Sequence, residues 1–317
     1  MTTVSIIMPV FKVSDYIESS IKSVMAQTYP HLECIIVDDG TPDDSIEKCE
    51  HLIADYQGPI KFIILHHEHN RGLSAARNTG TAAATGDYVF YLDSDDMLPA
   101  DSIEKLLKPM LNDPSIELVT GQHQCFPEPQ PTQNHQSTEM EFKTNDEVRR
   151  FVFGKKKHNV FAWNKLIQRN FLSHIDLCFV EGLLWEDILW DFFLLKHLSH
   201  LCVIPDVTYH YRQRPDSISM GTAKAKKSPH LDVIYSTIAD NLNEGDGGRE
   251  AHIYFNGFCG YFLRHPKVPE AYSQAVKFRN ALREGHYTKE ASRLSLMMFL
   301  SKTWLGRCMI SAGLSLR

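Results

Sequence analysis

The sequence predicts an α/β protein: a mostly parallel central sheet with flanking helices, followed by a C-terminal helical extension. Three observations carry this. In the N-terminal third, short β-branched apolar runs alternate with segments of helical periodicity, the pattern of β-α-β units with right-handed crossovers. Those runs end in Pro9-Val10-Phe11, Asp38-Asp39 and Asp93–Asp96, the carboxyl edge where parallel sheets bind ligands. From about residue 221 the chain reads as helical, broken by polar stretches such as "NEGDGGRE" (243–250).

The elements follow in order. "VSIIMPVF" (4–11) is a buried strand ending near a proline. Ser14 is placed to cap the next helix, whose Ile17, Ile21, Val24 and Met25 fall on one face. "LECIIVDD" (32–39) is a second strand, "TPDDS" turns into a helix over 45–56, and "IKFIILHH" (60–67) is a third strand. "GLSAARNTGTAAATG" (72–86) is a helix of small side chains suited to close packing on a sheet. The fourth strand, 88–92, delivers Asp93, Asp95 and Asp96; a helix (101–112) and a strand (116–121) follow. "FPEPQPTQNHQSTE" (126–139) reads as a surface loop, and 140–210 carries shorter mixed elements. The expected division is a domain over 1–220, with halves of about 1–121 and 122–220, and a helical extension over 221–317.

Composition bounds the function. The chain has 317 residues, a formal charge of −6 and a pI near 6.2, which argues against nucleic acid as a partner because phosphate binding needs a basic face. Seven dispersed cysteines without a C-x-x-C pair fit free thiols in a reducing compartment. No signal peptide or membrane-length apolar run is present, so the expected location is cytoplasmic.

Carboxylates a few ångströms apart repel by about 4 kcal/mol per pair at an effective dielectric near 20, so Asp93-Ser94-Asp95-Asp96 asks for a cation. An oxygen-only set suits Mg²⁺ or Mn²⁺; the plainer reading is an acidic turn in which Asp96 caps the next helix. Asp38-Asp39-Gly40 is either an ordinary turn or a carboxylate for a nucleobase imide N–H, with Pro9 and Phe11 as an apolar wall; uracil, thymine and guanine remain equally open. Glu186-Asp187 is either a charged first helical turn or a pair that includes a base.

Five stretches in order, "SIIMPVF", "QTYPHLECIIVDDGTPDDS", "NRGLSAARNTGTAAATGDYVFYLDSDD", "WNKL" and "WEDILW", resemble the family 2 glycosyltransferases over residues 3 to about 219. The resemblance implies the GT-A fold and inverting transfer of a sugar, of the hexosyl or N-acetylhexosaminyl class, from a UDP-sugar to an acceptor hydroxyl. It implies Mn²⁺ or Mg²⁺ as cofactor and a glycan or lipid-linked glycan as acceptor, in polysaccharide, O-antigen or lipooligosaccharide synthesis. It sets Pro9, Val10 and Phe11 beside the nucleoside, Asp39 on uracil, Arg77 in the donor region, and Asp93 and Ser94 by the ribose and metal-bound waters. Asp95 becomes the metal ligand, with His210 either completing its shell or serving as a satisfied structural histidine, and Asp187 the catalytic base beside Glu186. Trp163 joins the acceptor wall, a core tryptophan being the plainer reading, and Arg212 or Arg214 neutralises the diphosphate. An ion pair to a nearby aspartate is the plainer reading of Arg77.

His66, His67 and His69 read as solvated histidines, and Lys155-Lys156-Lys157 as a solvated turn. The tail from Lys289 combines Leu294, Met297, Met298, Trp304 and Leu305 with basic residues, which suits peripheral contact with the cytoplasmic membrane or a homo-oligomer or core-packing helix. Two other functions compete. A sugar nucleotidyltransferase would carry a Gly-rich basic loop after the first strand, where this chain has "PVFKVSDY". A catalytically silent scaffold would usually have lost Asp39, Asp95 or Asp187.

Overall fold

β1 (Val4–Val10) is buried at every position, as a strand covered on both faces must be. In the computed structural model, residues 1–127, 137–153, 160–214, 227–242, 248–264 and 269–302 are described. The Lys155–Lys157 turn, most of the Pro/Gln-rich loop, part of "NEGDGGRE" and the tail beyond Lys302 lie outside them.

β2 (Leu32–Asp38), β3 (Lys61–His66) and β4 (Tyr88–Tyr91) join β1 in a parallel half-sheet, order β3-β2-β1-β4. Between them run α1 (Ile17–Met25), α2 (Ser45–Ala54) and α3 (Leu73–Ala83). The order continues β7-β5-β8-β6, with β5 (Leu118–Phe126), β6 (Met140–Phe142), β7 (Lys165–Gln168) and β8 (Leu201–Arg212). β7 is antiparallel to both β4 and β5, β8 is parallel to β5, and β6 closes the edge antiparallel to β8. α4 (Ser102–Asn112), α5 (Asn145–Phe153), α6 (Arg169–His174) and α7 (Glu186–His197) complete this part. The expected α/β class with a mostly parallel sheet is borne out.

The two faces of β1 use different packing. Ile6, Met8 and Val10 join Ile17, Ile21 and Val24 of α1 and Ile103, Leu106, Leu107 and Met110 of α4 in one continuous core. On the other face α3 approaches closely because of Gly80. A Cβ there would collide with Ile7 Cγ2 and lie 3.3 Å from Val37 Cγ2. Gly80→Ala is expected to destabilise the protein by about 1–3 kcal/mol through overpacking, read as a lower urea midpoint at unchanged slope.

Ser14 does not cap α1. The N-cap is Tyr16, without a side-chain cap bond. Ser14 instead donates its hydroxyl to the Asp44 carboxylate and accepts from Lys48 Nζ at 2.6 Å, since charged partners at the start of α2 compete better than a backbone amide.

The ladder between β1 and β4 ends at Ile7–Tyr91, whereas that between β1 and β2 runs on to Val10–Asp38. The strands therefore part at Pro9, which has no N–H to give, just before the Asp93–Asp96 turn.

The chain divides into two compact units: Met1–Val152 with Lys157–Gly221, and Thr222–Arg317 with Phe153–Lys156. The second contains α8 (Lys227–Asp240), α9 (Arg249–Arg264), α10 (Pro269–Glu284) and α11 (Thr288–Lys302) around a core in which Phe258 stacks on Phe278 at 4.5 Å. Leu294, Met297 and Met298 of α11 are buried in this unit, while Leu296 and Phe299 are exposed. No helix among the described residues is long and apolar enough to cross a membrane.

Candidate active site

The end of β2 shapes the first wall. Asp39 is buried and its carboxylate accepts four hydrogen bonds, each at 2.8 Å: from His67 Nδ1, Asn70 Nδ2, Arg71 N and Gly72 N. That fills the four acceptor sites a carboxylate offers. An imide N–H arriving from a nucleobase would share or displace one of them. Gly40 allows this turn to close: its φ is +63°, and a Cβ would lie 2.7 Å from the His69 carbonyl carbon.

His67 is not solvated. Its side chain is 5% exposed and its Nε2 meets Thr79 Oγ1 at 2.9 Å. The reason is register: Asp38 pairs with His66 across β2 and β3, so the next residues, Asp39 and His67, meet on the inner side. His66, half exposed, pairs with Asp38 at 3.0 Å. Pro9 and Val10 stay within buried β1, and Phe11 presents a 37% exposed ring beside Lys12.

The carboxylates after β4 face in different directions. Asp96 turns inward, accepting from Tyr209 Oη at 2.7 Å and from the Arg212 amide at 2.6 Å. Burial, then Asp95 and Asp93, push its carboxyl well above the usual range. It does not cap α4, whose N-cap is Asp101. Asp93 and Asp95 remain partly exposed, and Ser94 is buried between them. Burial and Asp93 raise the Asp95 carboxyl, and Arg214 Nε lies 2.8 Å from its Oδ2. This oxygen-only set, already drawing a guanidinium, fits a hard divalent cation.

Arg77 is the hub. Its side chain is 1% exposed, with Nη1 donating to Glu186 Oε1 at 2.7 Å and Asp187 Oδ1 at 2.8 Å, and Nη2 donating to Asp93 Oδ1 at 2.9 Å. Phe179 covers it, ring centroid 5.2 Å from Cζ. The ion-pair reading of Arg77 therefore extends to three acids, and the side chain is sealed behind them rather than presented to a ligand. Glu186 and Asp187 open α7 after Trp185, which holds the left-handed φ of 59°. A bulky residue there stores about 1–3 kcal/mol of strain, a cost usually met at functional sites. Burial, opposed by Arg77, pushes Glu186 up to about 7 and raises Asp187 as well. Asp187 also accepts the Ala162 amide.

Trp163 does not offer an open face. It is 5% exposed and stacked between Phe161 at 4.7 Å and Tyr209 at 4.5 Å, with Tyr211 at 5.5 Å. Phe161, 37% exposed, is the ring at the outer end of this ladder. Of the two readings of Trp163, acceptor wall or core side chain, the burial agrees with the core one; the β8 tyrosines decide it, since alternation places residues 209 and 211 on one face.

His210 ties the acidic turn to β8 through its backbone, exchanging hydrogen bonds with Met97 at 3.1 and 2.9 Å. Its ring packs edge-on against Phe126, and no carboxylate among the described residues contacts it. Arg212 is clamped: Nε donates to the Asp95 carbonyl at 2.8 Å, Nη2 to Ser19 Oγ at 2.9 Å, and the guanidinium lies over Phe126 at 4.4 Å and Tyr16 at 5.2 Å.

Residues 5–176 match the family described as Glycosyl transferase family 2. An uncharacterized glycosyltransferase, EpsJ of Bacillus subtilis, is 28% identical over 243 residues, which is 73% of this chain and 67% of that protein. Among solved structures, S. aureus TarS in complex with UDP-GlcNAc superposes with a TM-score of 0.72 at 18% identity, covering 99% of this chain and 93% of that one. The mannosyltransferase PcManGT of Pyrobaculum calidifontis, in complex with GDP-Man and Mn²⁺, gives 0.55 at 16% identity, covering 95% and 88%.

Proposed function

The chain belongs to glycosyl transferase family 2, with a GT-A fold, and we propose that it is a metal-dependent inverting enzyme that moves a sugar from a UDP-sugar to a glycan or lipid-linked glycan hydroxyl. The carrying observation is that one buried guanidinium holds Asp93, on the donor side, and Asp187, at the head of α7, in a single cluster. Donor carboxylate and candidate base thus sit on opposite arms of Arg77.

In this reading Asp187 accepts the proton of the acceptor hydroxyl as that oxygen attacks the anomeric carbon. The bond from that carbon to the diphosphate oxygen breaks, its electron pair leaves with the phosphate, and the anomeric configuration inverts. The Asp187 side chain is 16% exposed, and the desolvation it does undergo raises its carboxyl, which strengthens it as a base. Asp95 would hold the divalent cation, with Asp93 beside it toward the ribose and metal-bound waters; when bound, the cation offsets charge developing on the leaving diphosphate. The outer ring of Phe161, next to the Ala162 amide bound by Asp187, suits the apolar face of a sugar.

Both ligand-bound neighbours hold nucleoside diphosphate sugars, one with uracil and one with guanine, which supports the donor class. The uracil reading rests on the resemblance at Asp39 and the higher overall similarity to TarS. We assign catalysis to residues 1–220, and the pathway to surface polysaccharide or lipooligosaccharide assembly.

Calorimetry of UDP, GDP and dTDP, each with and without Mn²⁺, tests the reading on wild type and Asp95→Ala. UDP is expected to bind in a metal-dependent way and to lose at least about tenfold in affinity in the variant, the equivalent of about 1.4 kcal/mol. Binding of no nucleotide would favour a non-catalytic scaffold.

A further inference from the structure

We infer that Arg214 is a resident counter-ion of Asp95, which a divalent cation must displace, and that its transfer to the donor diphosphate couples cation and nucleotide binding. The inference rests on the donor reading above.

Two arginines near the acidic turn are held very differently. Arg212 is anchored by its amide on Asp96, by Nε on the Asp95 carbonyl, by Nη2 on Ser19 and by two aromatic rings, so it cannot leave without dismantling the turn. Arg214, two residues further on, reaches Asp95 Oδ2 with Nε at 2.8 Å. Yet that buried Nε–H is not aimed at an acceptor, so the contact is an ion pair without a directed hydrogen bond. Beyond it, the described residues offer the Arg214 guanidinium only the Tyr16 ring at 5.3 Å. The backbone is fixed by the Arg212 amide, whereas the Arg214 side chain, 17% exposed, has this one ion pair among the described residues where Arg212 has several anchors.

Charge explains why Arg214 sits there. Asp93, Asp95 and Asp96 lie on four consecutive residues, and Arg77 answers only Asp93. Asp95 Oδ2 is also an oxygen a divalent cation would take, so guanidinium and cation compete for it. A diphosphate offers Arg214 a better alternative, since its oxygens match the planar guanidinium fork. Nucleotide therefore favours release of the arginine, and release favours the cation. By linkage the effect is reciprocal: UDP tightens Mn²⁺ by the same factor by which Mn²⁺ tightens UDP.

The test measures free Mn²⁺ by electron paramagnetic resonance during titration of the full chain, with and without saturating UDP. Arg214→Gln is expected to bind Mn²⁺ alone at least about fivefold more tightly than wild type, the lower end of ordinary coupling, and the tightening by UDP should shrink by at least as much. Arg214→Lys keeps the charge and should leave Mn²⁺ affinity near wild type, which separates lost charge from misfolding. If Arg214→Gln binds Mn²⁺ alone no better than wild type while wild type still binds UDP with Mn²⁺, the counter-ion role falls and the donor reading stands. If wild type binds neither, both fall.

Discussion

Asp187→Asn is expected to slow sugar transfer by about 10²- to 10⁴-fold while leaving UDP binding with Mn²⁺ at the wild-type level. The substitution keeps the shape of the side chain. An amide oxygen can still accept from Arg77 Nη1, and Arg77 keeps Glu186 and Asp93 as charged partners, so the cluster stays assembled. What disappears is the site for the acceptor proton. Wild-type turnover should also fall on the acid side as the Glu186–Asp187 pair takes up a proton, because a protonated base cannot serve. Both carboxyls are raised by burial, so this limb lies above the pH of ordinary carboxylates. UDP release in the presence of acceptor, followed across pH, measures both effects. Turnover close to wild type would remove Asp187 from the chemistry.

Arg77→Met is expected to destabilise the protein by about 3–5 kcal/mol, because it leaves three carboxylates gathered without their shared cation. The loss should depend on pH in a definite direction. Glu186 is raised from an ordinary 4.5 to about 7, chiefly by burial, and Arg77 is the group that opposes the rise. A carboxyl raised on folding binds more protons in the folded state. Its stabilising contribution is therefore full below about pH 4.5 and lost as pH climbs through 7. Removing Arg77 raises it further and extends the loss upward. The deficit of the variant should be smaller at pH 5 than at pH 8 in urea unfolding. An equal deficit at both would mean that lost packing, not lost charge, is responsible.

The β-α alternation of the first unit was legible because its strands are mostly apolar runs and the segments between them carry an apolar stripe, as in α1, or a run of small side chains, as in α3. β7 was not. Four residues, "KLIQ", have no period of their own, and their antiparallel place between β4 and β5 follows from contacts over more than forty residues of chain. The acids of the site were legible for a similar reason: they end strands or begin a helix. Their partners mostly were not. An ion pair of Arg77 with an aspartate was readable, but nothing local reveals that it gathers Glu186 and Asp187 as well, that His67 turns inward while His66 stays out, or that Trp163 is sandwiched and Phe161 is not. Each depends on what arrives from a distant segment, and residue type alone says nothing about that arrival.

The reach of Arg77 also bears on synthesis. Its partner Asp93 follows 16 residues later, but Asp187 lies 110 residues downstream. At about 5–20 residues per second, a ribosome needs roughly 5 to 20 s to make that stretch. For that interval the nascent N-terminal half holds an arginine with one of its three acids. The contacts that complete the site span a long loop and close late, so a chain stalled before residue 187 can form the first parallel strands yet cannot assemble the cluster.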